Sequence, residues 1–183
     1  DLTIHERLAT QRATIIYAID ASGSMRGEKL SSAKKAGIAL AYKATQKNDK
    51  VGIIIFGKEV INQHPPTNEF LPLIKTITTA RAAKETDIAA TIKHAQELFD
   101  KHTGVKHLLL LTDGLQTVGQ DPTEHVLEAA SVAAAAGITI SMVGLGLDKE
   151  GEALSKQVVD VGKGTLYLVK NYEDIDMLLL EDY

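Results

Sequence analysis

Apolar and polar residues along the chain follow two alternating patterns. Short, β-branched runs are apolar at consecutive positions, which is typical of parallel strands buried on both faces of a sheet. Longer stretches carry apolar residues three and four positions apart, as the buried face of a helix requires. The short runs predict strands at residues 13–19, 51–56, 106–111, 138–143 and 165–169. The longer stretches predict helices at residues 30–46, 87–101, 122–136, 150–161 and 172–180.

The segment between the second and third of these strands predicts two further elements. Residues 60–64 could form a short antiparallel edge strand, which we expect Pro65 and Pro66 to end because proline has no N–H to donate. Residues 67–79 carry apolar side chains at mixed spacing and predict a short helix packed on the sheet. Strands that alternate with helices in this way predict a doubly wound α/β sheet built from right-handed crossovers.

Length and composition are those of one globular domain. The chain has 183 residues, and 44% of them are hydrophobic, which is enough to bury a sizeable core. We expect residues 13–183 to form this domain and residues 1–12 to be an N-terminal extension. The first residue is Asp rather than Met, which suggests a piece of a longer protein. No apolar stretch approaches the ~18 residues of a membrane span, so we expect none in this segment.

The charge and cysteine content exclude several classes of function. With 20 basic and 24 acidic residues the net charge is −4, and the basic residues are scattered, so we expect no nucleic-acid partner. Cysteine is absent, which excludes disulfides and thiolate metal sites. No Asn-x-Ser/Thr sequon occurs. Together these features predict a cytoplasmic protein. The six histidines show no paired-ligand spacing, so we expect them on the surface or partly packed.

The first predicted strand opens into the run Asp20-Ala21-Ser22-Gly23-Ser24. One carboxylate and two hydroxyls at alternate positions offer the oxygen ligands that a hard cation such as Mg²⁺ prefers. The run matches neither a phosphate-binding P-loop nor the Gly-x-Ser-x-Gly turn of a hydrolase nucleophile. A simpler alternative stays open, in which the loop only caps the next helix and Asp20 lies near its positive end.

A second acidic signal follows the strand at residues 106–111, in the run Thr112-Asp113-Gly114. In doubly wound sheets, ligands bind at the carboxyl ends of the strands where the strand order reverses. If the strands at 13–19 and 106–111 are neighbours, Asp20 and Asp113 emerge side by side. Two such carboxylates would repel each other without a cation, so their pairing favours a metal site.

Four sequence runs together resemble the von Willebrand factor type A (VWA) domain family, over essentially the whole chain. They are Asp-Ala-Ser-Gly-Ser-Met at 20–25, Gly-Glu-Lys-Leu at 27–30, Ala-Lys at 33–34 and Thr-Asp-Gly at 112–114. The resemblance implies a three-layer α/β/α sandwich, whose six-stranded sheet is mostly parallel with one antiparallel edge strand. It also implies a metal-ion-dependent adhesion site that binds Mg²⁺ or Mn²⁺, with Ca²⁺ less favoured.

The resemblance further implies which residues hold the metal. Asp20, Ser22 and Ser24 match the family's first loop, Asp113 matches the third, and Thr86 best matches the threonine of the second loop. Alternatively, Thr86 could simply cap the helix that begins at the next residue, Asp87. Asp87 itself could orient a metal-bound water, or it could only be a favourable residue of the first helical turn. We expect Arg26, Lys29 and Arg81 to be solvated residues around this loop.

The function that the resemblance implies is a non-enzymatic, cation-dependent interaction module. A partner's Glu or Asp would fill an open coordination position on the metal. A first alternative is a subunit of an intracellular AAA+ ATPase or metal-chelatase-like complex, as in prokaryotic members of the family. A less favoured one is a metal-dependent hydrolase of phosphoryl groups or esters. No Lys or His lies within the Asp20 or Asp113 loops to act as a base, and the serines are needed as ligands.

Overall fold

Six strands and five helices occur in the residues that the computed structural model describes, 12–114 and 119–175. The strands are β1 (Ala13–Asp20), β2 (Lys50–Phe56), β3 (Val60–Thr67), β4 (Val105–Thr112), β5 (Ile138–Leu145) and β6 (Lys163–Val169). The helices are α1 (Glu28–Gln46), α2 (Phe70–Thr78), α3 (Ile88–Phe99), α4 (Pro122–Ala135) and α5 (Lys149–Val161). Short 3₁₀ turns lie at Gly23–Met25 and Tyr172–Asp174.

The strands form one sheet in the order β3-β2-β1-β4-β5-β6. β3 pairs with β2 in antiparallel orientation, and every other neighbouring pair is parallel. The chain runs outward from β1 to one edge and then returns to build the other half from β4. The strand order therefore reverses between β1 and β4. The predicted fold class, a doubly wound α/β sheet with one antiparallel edge strand, is confirmed.

Apolar side chains pack on both faces of the sheet and make a three-layer sandwich. In β1, Ile15, Tyr17 and Ile19 point to the face covered by α1 and α2, whereas Ile16 and Ala18 point to the face covered by α3, α4 and α5. All five side chains are at most 4% exposed. Every side chain of a strand buried on both faces lies in the core, which explains why the pattern of β1 is continuously apolar.

Most predicted elements occur within two residues of their predicted ends, but α2 begins at Phe70 instead of residue 67, and β3 is longer than predicted. It continues through Pro65 and Pro66 to Thr67, so the prediction that these prolines end the strand is wrong. β3 is an edge strand, and its pairing with β2 shifts register between Val51 and Ile53. Proline is tolerated at such a position because an edge strand needs ladder hydrogen bonds on one side only.

Three predictions fall wholly or partly outside the described residues. The N-terminal extension lies outside them except for Arg12, and the helix predicted at 172–180 is described only as far as residue 175, where the 3₁₀ turn has just ended. The division of the chain into an extension and a single domain therefore stays a prediction. No helix in the described ranges has the length and apolar character needed to cross a membrane.

Candidate functional site at the carboxyl ends of β1 and β4

The reversal of strand order places the two acidic signals next to each other. β1 and β4 are parallel neighbours, and Ile19 lies opposite Leu111 in their register. Asp20 is the last residue of β1, and Asp113 directly follows β4. The expectation that these two strands are neighbours is confirmed, and both carboxylates emerge at the same edge of the sheet.

The loop after β1 folds back on itself around the Asp20 carboxylate. Oδ1 of this fully buried side chain accepts the N–H of Ser22 at 2.7 Å. The backbone N–H of Ala21 donates to the carbonyl of Phe56 in β2, at 2.7 Å, and fixes the start of the loop. Gly27, at φ +90°, then turns the chain into α1, a conformation that favours glycine. Hydrogen bonds therefore fix the conformation of this loop, which holds two serine hydroxyls beside Asp20.

A chain of hydrogen bonds links four of the five predicted ligands. The hydroxyls of Ser22 and Ser24 lie 3.1 Å apart, and the Ser24 hydroxyl donates to Oδ1 of Asp113 at 2.7 Å. Together with the Asp20–Ser22 contact, this makes one cluster of oxygen atoms. The cluster runs from the buried Asp20 to Ser24, which is exposed. An ion could therefore reach it from solvent.

Thr112 belongs to the same cluster, although it was not among the predicted site residues. Its hydroxyl donates to Oδ2 of Asp20 at 2.7 Å, and the side chain is completely buried. The available signal was a polar residue at the end of a continuously apolar strand. Such a residue needs a hydrogen-bond partner when it is buried, and Asp20 on the neighbouring strand supplies it.

Burial raises the pKa of Asp20, hydrogen bonds from Thr112 and Ser22 oppose this rise, and the nearby charge of Asp113 adds to it. The carboxylate is thus held in a place where its charge is poorly solvated. A cation close by would compensate for the lost hydration.

Lys29 provides such a positive charge in this structure. It lies in the first turn of α1, and its ammonium is 2.6 Å from Oδ2 of Asp113. The Asp113 side chain is only 1% exposed and that of Lys29 is 26% exposed. Burial would lower the pKa of Lys29, but the hydrogen bond and charge of Asp113 outweigh it and raise the pKa. The expectation that Lys29 is merely solvated is wrong, because its ammonium contacts Asp113 directly after β4.

Thr86 lies in the segment between α2 and α3, which passes beside the Asp20 loop. The N–H of Ala83 donates to the carbonyl of Ala21 at 2.5 Å, and the N–H of Asp87 donates to the carbonyl of Gly57 at 2.8 Å. Thr86 is 4% exposed. These contacts bring the second loop to the same end of the sheet as the first, while the role of Thr86 as a ligand stays a prediction.

The cap of α3 is Asp87, and not Thr86. The Asp87 side chain accepts the N–H of Ala90 at 2.8 Å, which is the usual contact of an N-cap residue. The alternative in which Thr86 caps this helix is therefore wrong. Asp87 acts as a helix cap. This role is close to the simpler interpretation given above, in which Asp87 is only a favourable residue at the start of the helix.

The donors in this cluster suit a hard cation. They are carboxylate and hydroxyl oxygens, without nitrogen or sulfur, and Mg²⁺ and Mn²⁺ favour such ligands. Within the described ranges no three His, Cys, Asp or Glu side chains gather as a metal-binding group. A metal at this edge of the sheet would therefore depend on two carboxylates assisted by hydroxyls. The residues that could hold it are Asp20, Ser22, Ser24 and Asp113, together with Thr86.

Comparison with solved structures finds the same architecture in bacterial proteins. BatB, a conserved hypothetical protein from Bacteroides thetaiotaomicron, is 25% identical and superposes with a TM-score of 0.76, covering 93% of this chain and 97% of that one. An aerotolerance-related membrane protein from Bacteroides fragilis is 22% identical, also with a TM-score of 0.76, covering 92% and 97%. The similarity to this membrane protein contradicts the predicted cytoplasmic location.

Comparison with known sequences agrees with the structural comparison. The magnesium-chelatase 67 kDa subunit of Heliobacterium mobile is 32% identical over 127 residues, which cover 67% of this chain and 19% of the subunit. The chain thus spans about a fifth of the length of this relative. The family model of the von Willebrand factor type A domain matches residues 14–180. The chain therefore belongs to the von Willebrand factor type A domain family.

Proposed function

We propose that this domain is a non-enzymatic, divalent-cation-dependent protein-interaction module. Its metal ligands would be Asp20, Ser22, Ser24, Thr86 and Asp113, and its partner would contribute a Glu or Asp carboxylate. The observation that carries the proposal is the continuous chain of hydrogen bonds from the Asp20 carboxylate through Ser22 and Ser24 to Asp113, at the switch point of the sheet. Family membership supports it, because VWA domains are typically interaction modules.

Charge balance is the physical basis of the proposed metal site. Asp20 and Asp113 are both nearly excluded from water, and they carry two negative charges close together. One lysine ammonium compensates for only one of these charges. A divalent ion would neutralise both carboxylates, while the serine hydroxyls would act as neutral ligands. The same cluster also keeps these oxygens in place before any ion arrives, which lowers the entropy cost of binding.

The preference of the proposed site for a carboxylate of the partner follows from the shape of the cluster. Its ligands come from one side, from loops at the edge of the sheet, and exposed Ser24 marks the side that faces solvent. When bound, the cation would offer a coordination position on that open side, which a hard anionic oxygen fills best. The serine hydroxyls are already committed to each other and to Asp113, which disfavours a role as nucleophiles.

The similarity to a magnesium-chelatase subunit favours one specific setting. In this second candidate function, the domain would use the same site to dock within a larger complex driven by an AAA+ ATPase. The acidic partner would then be a subunit of that complex. The two candidates share the metal site and differ in the identity of the partner.

Titration of the domain with Mn²⁺, followed by calorimetry or by the electron paramagnetic resonance of free Mn²⁺, tests the proposal. We expect one strong site in the wild-type chain and its loss in Asp20→Ala. Asp160→Ala is the matched control, because it removes an exposed carboxylate from α5. Undiminished Mn²⁺ binding in Asp20→Ala, or no binding to the wild-type chain, would contradict the proposal.

A second experiment tests the partner. The immobilised domain is exposed to an extract of the source organism with Mg²⁺ or with a chelator, and Asp113→Ala serves as the control. We expect partners whose capture needs both the cation and Asp113, and whose own Glu or Asp substitutions abolish it. Partners captured equally under all conditions would show that the contact surface lies elsewhere.

A further inference from the structure

The contact between Lys29 and Asp113 joins a proposed metal ligand to a cationic side chain of the same domain. Asp113 uses both carboxylate oxygens, since Oδ1 accepts the Ser24 hydroxyl at 2.7 Å and Oδ2 contacts the Lys29 ammonium at 2.6 Å. One oxygen therefore faces the serine cluster, and the other faces α1. A hydrogen bond between two charged groups at this distance is among the stronger polar contacts in proteins.

We propose that Lys29 competes with the divalent cation for Asp113 and thereby sets the metal affinity of the site. This inference rests on the proposed function, because it concerns the same ligands. Metal binding would require the Lys29 ammonium to leave Asp113 or to stay at the cost of repulsion between two positive charges. Either event lowers the affinity for the metal.

The position of Lys29 in the helix supports this assignment. The first turn of a helix carries the positive end of the helix dipole, where acidic residues are favoured and cations are disfavoured. Glu28 in the same turn follows this preference, and Lys29 departs from it. Asp113, whose side chain is nearly inaccessible to water, supplies the compensating negative charge. Without that partner the dipole would not favour a lysine at this position.

The effect on the partner follows from the same competition. A lysine that holds Asp113 weakens metal binding, so the domain would be loaded only above a threshold concentration of the cation. Release of Lys29 would also place a free ammonium on the rim of the site, close to the position proposed for the partner's carboxylate. Metal loading and the charge presented to an acidic partner are thus coupled through one side chain.

Mn²⁺ affinity of Lys29→Met and of the wild-type chain provides the test. Methionine keeps most of the apolar stem and removes the charge. We expect Mn²⁺ to bind Lys29→Met about tenfold more tightly, since the ion no longer displaces an ammonium from Asp113. Arg26→Met is the matched control, because it removes an exposed positive charge just before α1, and we expect a change below about twofold. Lys29→Arg keeps the charge, and its affinity should stay close to that of the wild-type chain.

A second measurement uses the wild-type chain and does not depend on how the variant folds. Lysine acylation followed by mass spectrometry should show faster labelling of Lys29 when Mn²⁺ is added, with Lys34, further along α1, as the internal reference. Equal Mn²⁺ affinity of the wild-type chain and Lys29→Met would overturn this inference and leave the metal site intact. If Lys29→Met does not fold, the labelling experiment decides: an acylation rate of Lys29 in the wild-type chain that Mn²⁺ does not change would overturn the inference. If Mn²⁺ binds neither chain, the proposed function itself fails.

Discussion

Two partly buried polar clusters lie towards opposite ends of β4, and they differ in charge. At the carboxyl end, Asp20 and Asp113 carry two negative charges, and Lys29 contributes one positive charge. Towards the amino end, Nε2 of His107 lies 2.8 Å from the hydroxyl of Ser141 on β5. The second cluster has no carboxylate. The amino-end cluster therefore only stabilises the fold, whereas the carboxyl-end cluster carries an uncompensated negative charge that could bind a cation.

The amino-end cluster repairs an irregularity of the sheet. The pairing of β5 with β6 shifts register between Ile140 and Met142, and in this region the N–H of Thr165 donates to the Ser141 hydroxyl at 3.0 Å. A serine side chain thus replaces a missing ladder acceptor. Burial lowers the pKa of His107, which keeps the imidazole neutral beside Ser141. This cluster is satisfied by the chain alone.

The carboxyl-end cluster is hydrogen-bonded but not electrically balanced. Every buried side-chain N or O atom in the described part of the chain has a partner. Hydrogen bonds alone therefore do not distinguish the two clusters. What distinguishes them is the excess negative charge and the opening to solvent at Ser24. We therefore expect stability to depend mainly on the amino-end cluster and metal affinity mainly on the carboxyl-end cluster.

Gly164→Ala should produce the largest effect on stability. A Cβ at this position would overlap the carbonyl oxygen of Ile140 and lie 2.7 Å from the Ser141 hydroxyl. Because the obstacle is backbone, we expect a loss of about 3 kcal/mol in the free energy of unfolding, measured with urea, at unchanged Mn²⁺ affinity per folded molecule. Gly114→Ala is the steric control, since a Cβ there meets nothing within 4 Å. Equal stability of both variants would refute the assigned role of the β5–β6 irregularity.

The double variant Ser22→Ala, Ser24→Ala should have the opposite profile. It removes both serine hydroxyls and leaves both carboxylates. We expect Mn²⁺ affinity to fall about 30-fold, equivalent to about 2 kcal/mol, with a smaller change in the free energy of unfolding. The measurements are Mn²⁺ titration and urea unfolding of the same preparation. A large loss of stability without a loss of Mn²⁺ affinity would place these serines with the structural residues.

The smallest expected effect is a pH dependence that comes from His107. Its pKa is lowered by burial in the folded chain, whereas the unfolded chain takes up the proton near the ordinary value of about 6.5. Protonation therefore favours the unfolded state, so the free energy of unfolding should fall as the pH drops below about 6.5, by up to about 1 kcal/mol at pH 5.5. His107→Gln should remove this component when urea unfolding is compared at pH 7.5 and 5.5. His102, whose pKa is also lowered by burial, is retained in both chains. An identical pH dependence in both would contradict the assignment.

The fold and the candidate ligands in the loop after β1 could be predicted from sequence because both depend on local patterns. Strand and helix periods are visible within each segment, and Asp20, Ser22 and Ser24 lie within five residues of each other. The adjacency of Asp113 required a topological rule, which the observed strand order bears out. The course of β3 through its two prolines was missed, since edge position and register are properties of the assembled sheet.

The contacts that could not be predicted join residues far apart in sequence. Lys29 and Asp113 are separated by 84 positions, and Asp20 and Thr112 by 92. Nothing in the sequence around Lys29 distinguishes it from a solvated lysine, and only the folded chain brings it to Asp113. Likewise, the pairing of His107 with Ser141 depends on the register of β4 with β5. Such contacts are determined by packing, and composition or periodicity carries no trace of them.

The most direct test of the proposed metal site is a crystal structure of the domain grown with Mn²⁺, with anomalous scattering used to locate the ion. We expect one strong peak at the carboxyl ends of β1 and β4, at about 2.1 Å from oxygens of Asp20, Ser22, Ser24 or Asp113. Thr86 would coordinate the ion directly or through a water. An occupied site elsewhere, or no peak at a Mn²⁺ concentration far above that of the protein, would contradict it.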